Sequence, residues 1–307
     1  MKVVVTGASG LIGSATVPRL ERAGHLVTCL TRGTSRQGVS AFWNPSTGEV
    51  SPGALDGVDS VVHLAGESIA SGRWTEVKKD KIRDSRVLGT RRLAETLASL
   101  PTPPRTLVTS SAIGFYGDRG EERLEESAMS GVGFLPDVCE AWEAATEPAQ
   151  NQGVRVVHLR TGIVLTAAGG ALAQMLTPFK LGVGGVIGSG RQYMSWITLD
   201  DLLRAILFGL TTDVLRGPVN AVAPVPVTNR EFTKTLGHVL RRPSVFPLPG
   251  FAARLAFGEM ADALLLASAR VYPSALDLAG FRFAYPTLEG ALRHVLGRSS
   301  GLTVVAP

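Results

Sequence analysis

The chain has 307 residues, enough for one large domain or two small ones. Hydrophobic residues make up 45% and charged residues 19%, the balance of a globular protein with a sizeable core, which excludes a disordered or fibrous chain. A net charge of +5, with no lysine-rich tail or aromatic-basic array, points away from nucleic acid and towards phosphorylated small ligands. The most apolar late stretch, 251–269, is broken by Arg254, Glu259 and Asp262, so no membrane span is expected. Cys29 and Cys139 make neither a disulfide framework nor a metal pattern. Met1 to Val5 runs straight into Gly7 with no secretory segment, and the expected location is cytoplasmic.

Val3 to Val5 are β-branched and suit a strand buried on both faces. Gly7, Gly10 and Gly13 follow at once, and a helix opens near Leu11. Gly7 permits a sharp turn, Gly10 lets a pyrophosphate approach the backbone, and Gly13 allows close helix-on-strand packing. The N–H groups of Ser9, Leu11 and Ile12 then face the diphosphate at the positive end of the helix dipole. The Gly7-x-x-Gly10-x-x-Gly13 spacing after Thr6 resembles the extended short-chain dehydrogenase/reductase superfamily, in its epimerase and dehydratase branch. That resemblance implies a nicotinamide dinucleotide.

The first helix is predicted from Leu11 to Ala23 with Gly24 as its stop, although Pro18 inside it costs roughly 3 kcal/mol or a kink. Leu26 to Leu30 reads as the second strand. Thr31-Arg32-Gly33-Thr34-Ser35-Arg36 follows it without a carboxylate. An acidic residue there would bind the ribose 2′-hydroxyl of NAD. Arg32 instead offers a fork of donors for a 2′-phosphate or a plane to stack on adenine. NADP(H) is favoured over NAD(H) on this ground, a solvated basic loop being the alternative.

Phe42 to Pro52 reads as a small hairpin or loop. Ser60 to Leu64 is the next strand, and Ala65 and Gly66 after it are small enough for close approach. In the superfamily this strand end, here Leu64, Ala65 and Gly66, lies alongside the dinucleotide. Glu67 is then either an acid beside the cofactor or a loop carboxylate. A helix over 74–100 carries Lys78, Lys79, Lys81, Arg83 and Arg86 early, and Lys81 and Arg86 are candidates to meet cofactor phosphate or ribose, a plain surface-helix lysine being the alternative for Lys81. Thr106 to Ser110 is the following strand, with Ser110 at the cofactor.

Further stretches are similar to one atypical, epimerase-like family within the superfamily. They include His63-Leu64-Ala65-Gly66-Glu67, Ser85-Arg86-Val87-Leu88-Gly89-Thr90 and residues 110–117. Cys139-Glu140-Ala141-Trp142-Glu143, residues 159–165, 188–196, 220–224 and 280–286 continue the match over nearly the whole chain. Catalysis in the superfamily uses Tyr-x-x-x-Lys, in which the lysine lowers the tyrosine pKa for proton exchange opposite hydride transfer. No such pair exists here. Placing Glu143 on the glutamate that follows the pair puts Cys139 at the lysine and Leu135 at the tyrosine. Arg86 then falls at the asparagine that helps position the lysine, and Ala112 at the hydroxyl, with Ser111 one step off. The candidates for a substitute catalytic set are Tyr116, Glu67 and Ser111, with Cys139 behind them. Packing at the pocket mouth is the alternative for Tyr116.

Val154 to Leu159 is another strand, and the turn through Ile163 returns to the nicotinamide end. The glycine-rich 182–190 segment is expected to line a substrate cleft, with Gln192 and Trp196 available to a ligand. Asp200-Asp201 reads as a helix cap, and 218–222 as a late strand. The expected architecture is α/β, a Rossmann-type doubly wound parallel sheet with a small C-terminal α+β lobe. The nucleotide domain covers 1–165 completed by 195–223, and the lobe covers 166–194 and 224–307. Two functions fit: an NADP-dependent oxidoreductase or epimerase with an atypical catalytic set and a small-molecule substrate, or a non-catalytic NADP(H)-binding sensor or interaction module.

Overall fold

The β-branched runs read from the sequence as strands pair side by side in a computed structural model, which describes residues 1–33 and 39–298. The first half contains β1 (Lys2–Thr6), α1 (Gly13–Arg22), β2 (Leu26–Thr31), β3 (Val39–Phe42), β4 (Ser60–His63), α2 (Glu76–Ala98) and β5 (Thr106–Ala112). Next come β6 (Arg123–Leu124), α3 (Phe134–Ala144), α4 (Glu147–Asn151), β7 (Arg155–Thr161), β8 (Ile163–Leu165) and α5 (Gly170–Lys180). β9 (Tyr193–Met194), β10 (Trp196–Thr198), α6 (Leu199–Thr211), β11 (Gly217–Ala221), β12 (Val227–Thr228) and α7 (Asn229–Leu240) follow. The chain closes with α8 (Gly250–Phe257), α9 (Glu259–Ala261), β13 (Arg270–Val271), α10 (Ser274–Leu278) and α11 (Leu288–Val295).

Seven strands form one parallel sheet in the order β11-β7-β5-β4-β1-β2-β3. β1 sits inside it, with β4 on one side and β2 on the other, so strand order reverses at β1. That reversal opens a crevice beyond the carboxyl ends of the strands, where ligands bind in such sheets. Val3, Val5 and Val62 pack against α1 and α6 through Val17, Leu20 and Ile206. Val4, Val61 and Leu107 pack against α2 through Leu93, Ala94 and Leu97. Both faces are therefore covered, which is why these strands are almost wholly apolar. A second core joins α5, α7 and α11 through Leu172, Phe232, Leu236 and Leu292, around Trp196. Among the described residues no helix is long and apolar enough to cross a membrane.

Two local readings shift, those of the α1 start and the α6 cap, while the small hairpin at 42–52 stands. Helix α1 begins at Gly13 rather than Leu11 and runs through Pro18. The 42–52 stretch is tied by an antiparallel bridge between Trp43 and Val50 around Gly48, whose φ is 81°. The cap of α6 is Thr198, whose hydroxyl accepts from the Asp201 N–H. The buried Asp201 carboxylate instead accepts the Ala284 and Tyr285 N–H groups at 2.8 and 2.9 Å, tying the C-terminal segment to the sheet helices.

Candidate functional site

The β1–α1 turn is built against the end of β4. Gly7 has φ +70°, which an L side chain rarely adopts, and a Cβ on it would lie 2.6 Å from the Leu64 carbonyl carbon. A Cβ on Gly13 would meet the Gly7 carbonyl and lie 2.8 Å from the Ala8 Cα. Gly10 differs: its Cβ would meet only the Gly7 oxygen, at 3.3 Å, and otherwise faces open space. Ser9 and Gly10 are exposed, and Leu11 and Ile12 are half-buried. No side chain caps α1, and no carboxylate sits in its first turn. Its leading N–H groups thus keep their capacity for an anion.

On one side of the turn β2 ends at Thr31, whose hydroxyl donates to the Gly33 carbonyl. Arg32 beside it is exposed. Thr34, Ser35 and Arg36 lie outside the described residues. On the other side, the Leu64 and Ala65 N–H groups bond the Thr6 carbonyl and hydroxyl, each at 3.3 Å. Gly66 is exposed at this strand end, and Arg86 from α2 comes to it, with its guanidinium carbon 3.5 Å from where a Gly66 Cβ would stand. Lys81 is exposed on the same helix. Ser110 and Ile163 are half-buried on β5 and β8.

The three acid-base candidates lie in different surroundings. Glu67 follows Gly66 and makes a 2.6 Å ion pair with Lys78, whose hydrogen bond holds its carboxyl below the usual range. Ser111 is buried and donates to Glu143 at 2.6 Å. Tyr116 has no exposed surface; its hydroxyl donates to Asn220 Oδ1 at 2.7 Å and accepts from Arg160 at 3.1 Å. Arg160 grips Glu143 with two 2.8 Å bonds, and its guanidinium carbon lies 3.4 Å from the Phe115 ring centroid. Both hydroxyls therefore belong to a satisfied buried network rather than to the cleft surface. Burial is the leading influence on the Tyr116 phenol and raises its pKa, the reverse of what an active proton donor needs.

The readings of Gln192, Trp196 and the glycine segment also change. Gln192 is buried, and its amide donates to the Ile187 and Leu265 carbonyls at 3.0 Å. Trp196 is fully buried in the second core. Neither is available to a ligand. The glycine segment packs against the chain after α7: the Gly188 N–H donates to the Leu248 carbonyl, the Leu248 N–H donates to the Val186 carbonyl, and a Gly185 Cβ would overlap the Phe246 carbonyl. Cys139 is buried, and its thiol is pushed up to about 12, so it is no nucleophile. His63 bridges Thr6 Oγ1 at 2.7 Å and Thr90 Oγ1 at 2.9 Å as a core histidine. Among the described residues no cluster of His, Cys, Asp or Glu can hold a metal. Arg160 and Asn220, quoted in the sequence only within matched stretches, and Glu126, not singled out there, gain their roles from partners 17 to 104 positions away.

Comparison with known proteins agrees with this geometry. The model of the NAD dependent epimerase/dehydratase family matches residues 3–221. A domain of unknown function matches residues 248–295. An epimerase family protein of Mycobacterium bovis is 45% identical over 296 residues, which span 96% of this chain and 98% of that one. The crystal structure of human epimerase family protein SDR39U1 (isoform2) with NADPH has a TM-score of 0.90 at 32% identity, covering 97% of this chain and 100% of that one. A nucleoside-diphosphate sugar epimerase from Corynebacterium glutamicum has a TM-score of 0.81 at 38% identity, covering 97% of this chain and 58% of that one. With its glycine turn inside the matched region and its relatives spanning the whole chain, this protein belongs to the NAD dependent epimerase/dehydratase family.

Proposed function

We propose that the chain binds NADP(H) across the β1–α1 turn and works on a small-molecule substrate at the strand ends, as an oxidoreductase or epimerase with an atypical catalytic set. The observation that carries the cofactor is the turn itself. Gly7 and Gly13 are required by packing, whereas Gly10 has open space outside it, in front of an uncapped helix. Arg32 at the end of β2 supports the phosphorylated form, as does the NADPH in the human relative's crystal structure. Leu64, Ala65 and Gly66 line the other side. The nicotinamide would supply hydride chemistry; the protein's part is to hold it and to handle the proton. Of the three acid-base candidates, Glu67 is the one at the open strand end, where the Lys78 ion pair keeps its carboxyl ionised and would have to open for it to take a proton.

The buried Tyr116–Asn220–Arg160–Glu143–Ser111 network favours a second reading, a non-catalytic NADP(H)-binding sensor or interaction module. A thermal-shift titration with NADPH and NADH, followed by NADPH oxidation over a panel of carbonyl compounds, separates the outcomes. A ligand that binds only the folded state stabilises by roughly 2.7 kcal/mol at a hundredfold excess over Kd. A large shift with NADPH and a small one with NADH is expected. Turnover with any carbonyl selects the enzyme. Binding without turnover selects the module, and no shift with either nucleotide rejects both.

A further inference from the structure

A groove of about 440 Å³ lies between the carboxyl end of α7 and helix α11, and none of its lining residues comes from the sheet or from the β1–α1 turn. His238, Arg241 and Arg242 line it from the α7 end, and Arg293 lines it from α11. The Arg293 guanidinium comes within 3.4 Å of His238 Nε2. Glu289 is the carboxylate at hand, and Arg293 occupies it with bonds of 2.9 and 2.7 Å to one oxygen. Arg241 and Arg242 are exposed, and among the described residues their side chains meet no carboxylate.

The helix end itself does not call for these two cations. Its Gly237 and His238 carbonyls accept the Arg242 and Arg241 backbone N–H groups at 2.9 and 3.0 Å. Its Val239 carbonyl accepts from the Arg298 guanidinium at 2.8 Å, so a cation already sits at the negative end of the α7 dipole. The backbone at Arg241 is left-handed, with φ 56°, and no other non-glycine residue among the described residues has a positive φ. Glycine is the usual residue at such a helix end, so the arginine stands there against local preference. A Cβ on Gly237 would lie 2.9 Å from Ser244 Oγ and 3.0 Å from the Arg242 carbonyl oxygen, so the chain after the cap is folded tightly back on α7. Three guanidiniums at one groove offer more planar forks of donors than a single carboxylate can accept. A phosphate, with several oxygens and more than one charge, can take them together. We propose that the groove is a second anion site, separate from the dinucleotide crevice, for a free small molecule that carries a phosphate or diphosphate group.

Inorganic pyrophosphate is titrated calorimetrically into the full chain with NADPH saturating, so that the β1–α1 turn is already occupied. Wild type is expected to bind it, and Arg241→Gly and Arg242→Ala each to bind it roughly tenfold or more weakly. NADPH affinity should be the same in both variants as in wild type. The unfolding midpoint of the ligand-free Arg241→Gly protein should stay level or rise, because glycine accepts the left-handed backbone and no ion pair is broken; a structural arginine would lower it. Sulfate should bind far more weakly than pyrophosphate. No binding by wild type, or an affinity unchanged in both variants, overturns the proposal. Equal affinity for sulfate overturns it too, since the groove would then be a general counter-ion patch. Sedimentation with phosphatidylcholine vesicles that carry phosphatidic acid tests the source of the phosphate. The chain should stay in the supernatant; capture that Arg241→Gly and Arg242→Ala abolish would overturn the free ligand in favour of a lipid phosphate. A chain that fails to bind NADPH but binds pyrophosphate through Arg241 and Arg242 overturns the cofactor reading and leaves this inference standing.

Discussion

Among the described residues Arg160 and Glu143 form the most enclosed ion pair, with side chains 4% and 13% exposed. Two bonds between the charges, a ring under the guanidinium and a hydroxyl on each partner compensate the desolvation. Removing one partner of such a pair typically costs about 3–5 kcal/mol, since the other charge is left buried. Ser111 and Tyr116 are bound into this pair, so their hydroxyls serve the fold. Arg32 is the opposite kind of residue, exposed at a strand end. Its replacement should leave folding alone and act on ligand choice. Arg32→Ala is expected to weaken NADPH roughly tenfold or more, the worth of a charged hydrogen bond, and NADH much less, as read by nucleotide fluorescence titration. Equal losses for the two nucleotides would remove the case for phosphate recognition.

At the scale of elements, the β1–α1 turn separates packing glycines from a ligand-facing one. Gly13→Ala puts a methyl into the Gly7 carbonyl and against the Ala8 backbone, none of which can move without lifting α1 from β1. Gly10→Ala meets one oxygen at 3.3 Å and needs a shift of a few tenths of an ångström. Urea unfolding should therefore show a severe loss for Gly13→Ala, about 3 kcal/mol or more in the manner of core overpacking. Gly10→Ala should lose at most about 1 kcal/mol while its NADPH binding collapses. Equal stability losses would mean that Gly10 too is a packing glycine. The same turn marks what was legible in the sequence. Strands, helices and the phosphate turn follow from local signals: β-branched runs, spaced glycines and apolar periodicity. The Arg160–Glu143–Tyr116–Asn220 network was not legible as a network, because each partner comes from a different element, and the matched stretches that hold them do not say which side chains meet. Gln192 and Trp196 misled for the same reason. Glycines around them suggested a cleft, whereas Gly185 makes room for the Phe246 carbonyl, and Gly184 and Gly188 for the side chains of Phe179 and Leu266.

Across the whole molecule, the parallel sheet buries two histidines, and that sets an acid limit on stability. His63 on β4 lies under α2, and His158 on β7 lies beside Thr146 and Gln150 of the α4 region. Burial pushes each imidazole down to about 4 from an ordinary 6.5. The folded protein thus keeps both rings neutral where the unfolded chain has taken up two protons. The stability is fully present above pH 6.5 and is lost as the pH falls towards 4, by roughly 3 kcal/mol per histidine at most. Glu67, held low by Lys78, loses its ion pair in the same direction at the acid end. Glu126 works against them: burial raises its carboxyl, so the folded state accepts its proton first. Two buried imidazoles outweigh one such carboxyl, and urea midpoints should fall steeply between pH 6.5 and 4.5. His63→Gln keeps one donor and one acceptor for Thr6 and Thr90 but cannot titrate, so its stability should depend less on pH by about half. A wild-type profile that is flat over this window would mean that both rings protonate inside the folded sheet, and the burial argument would fail with it.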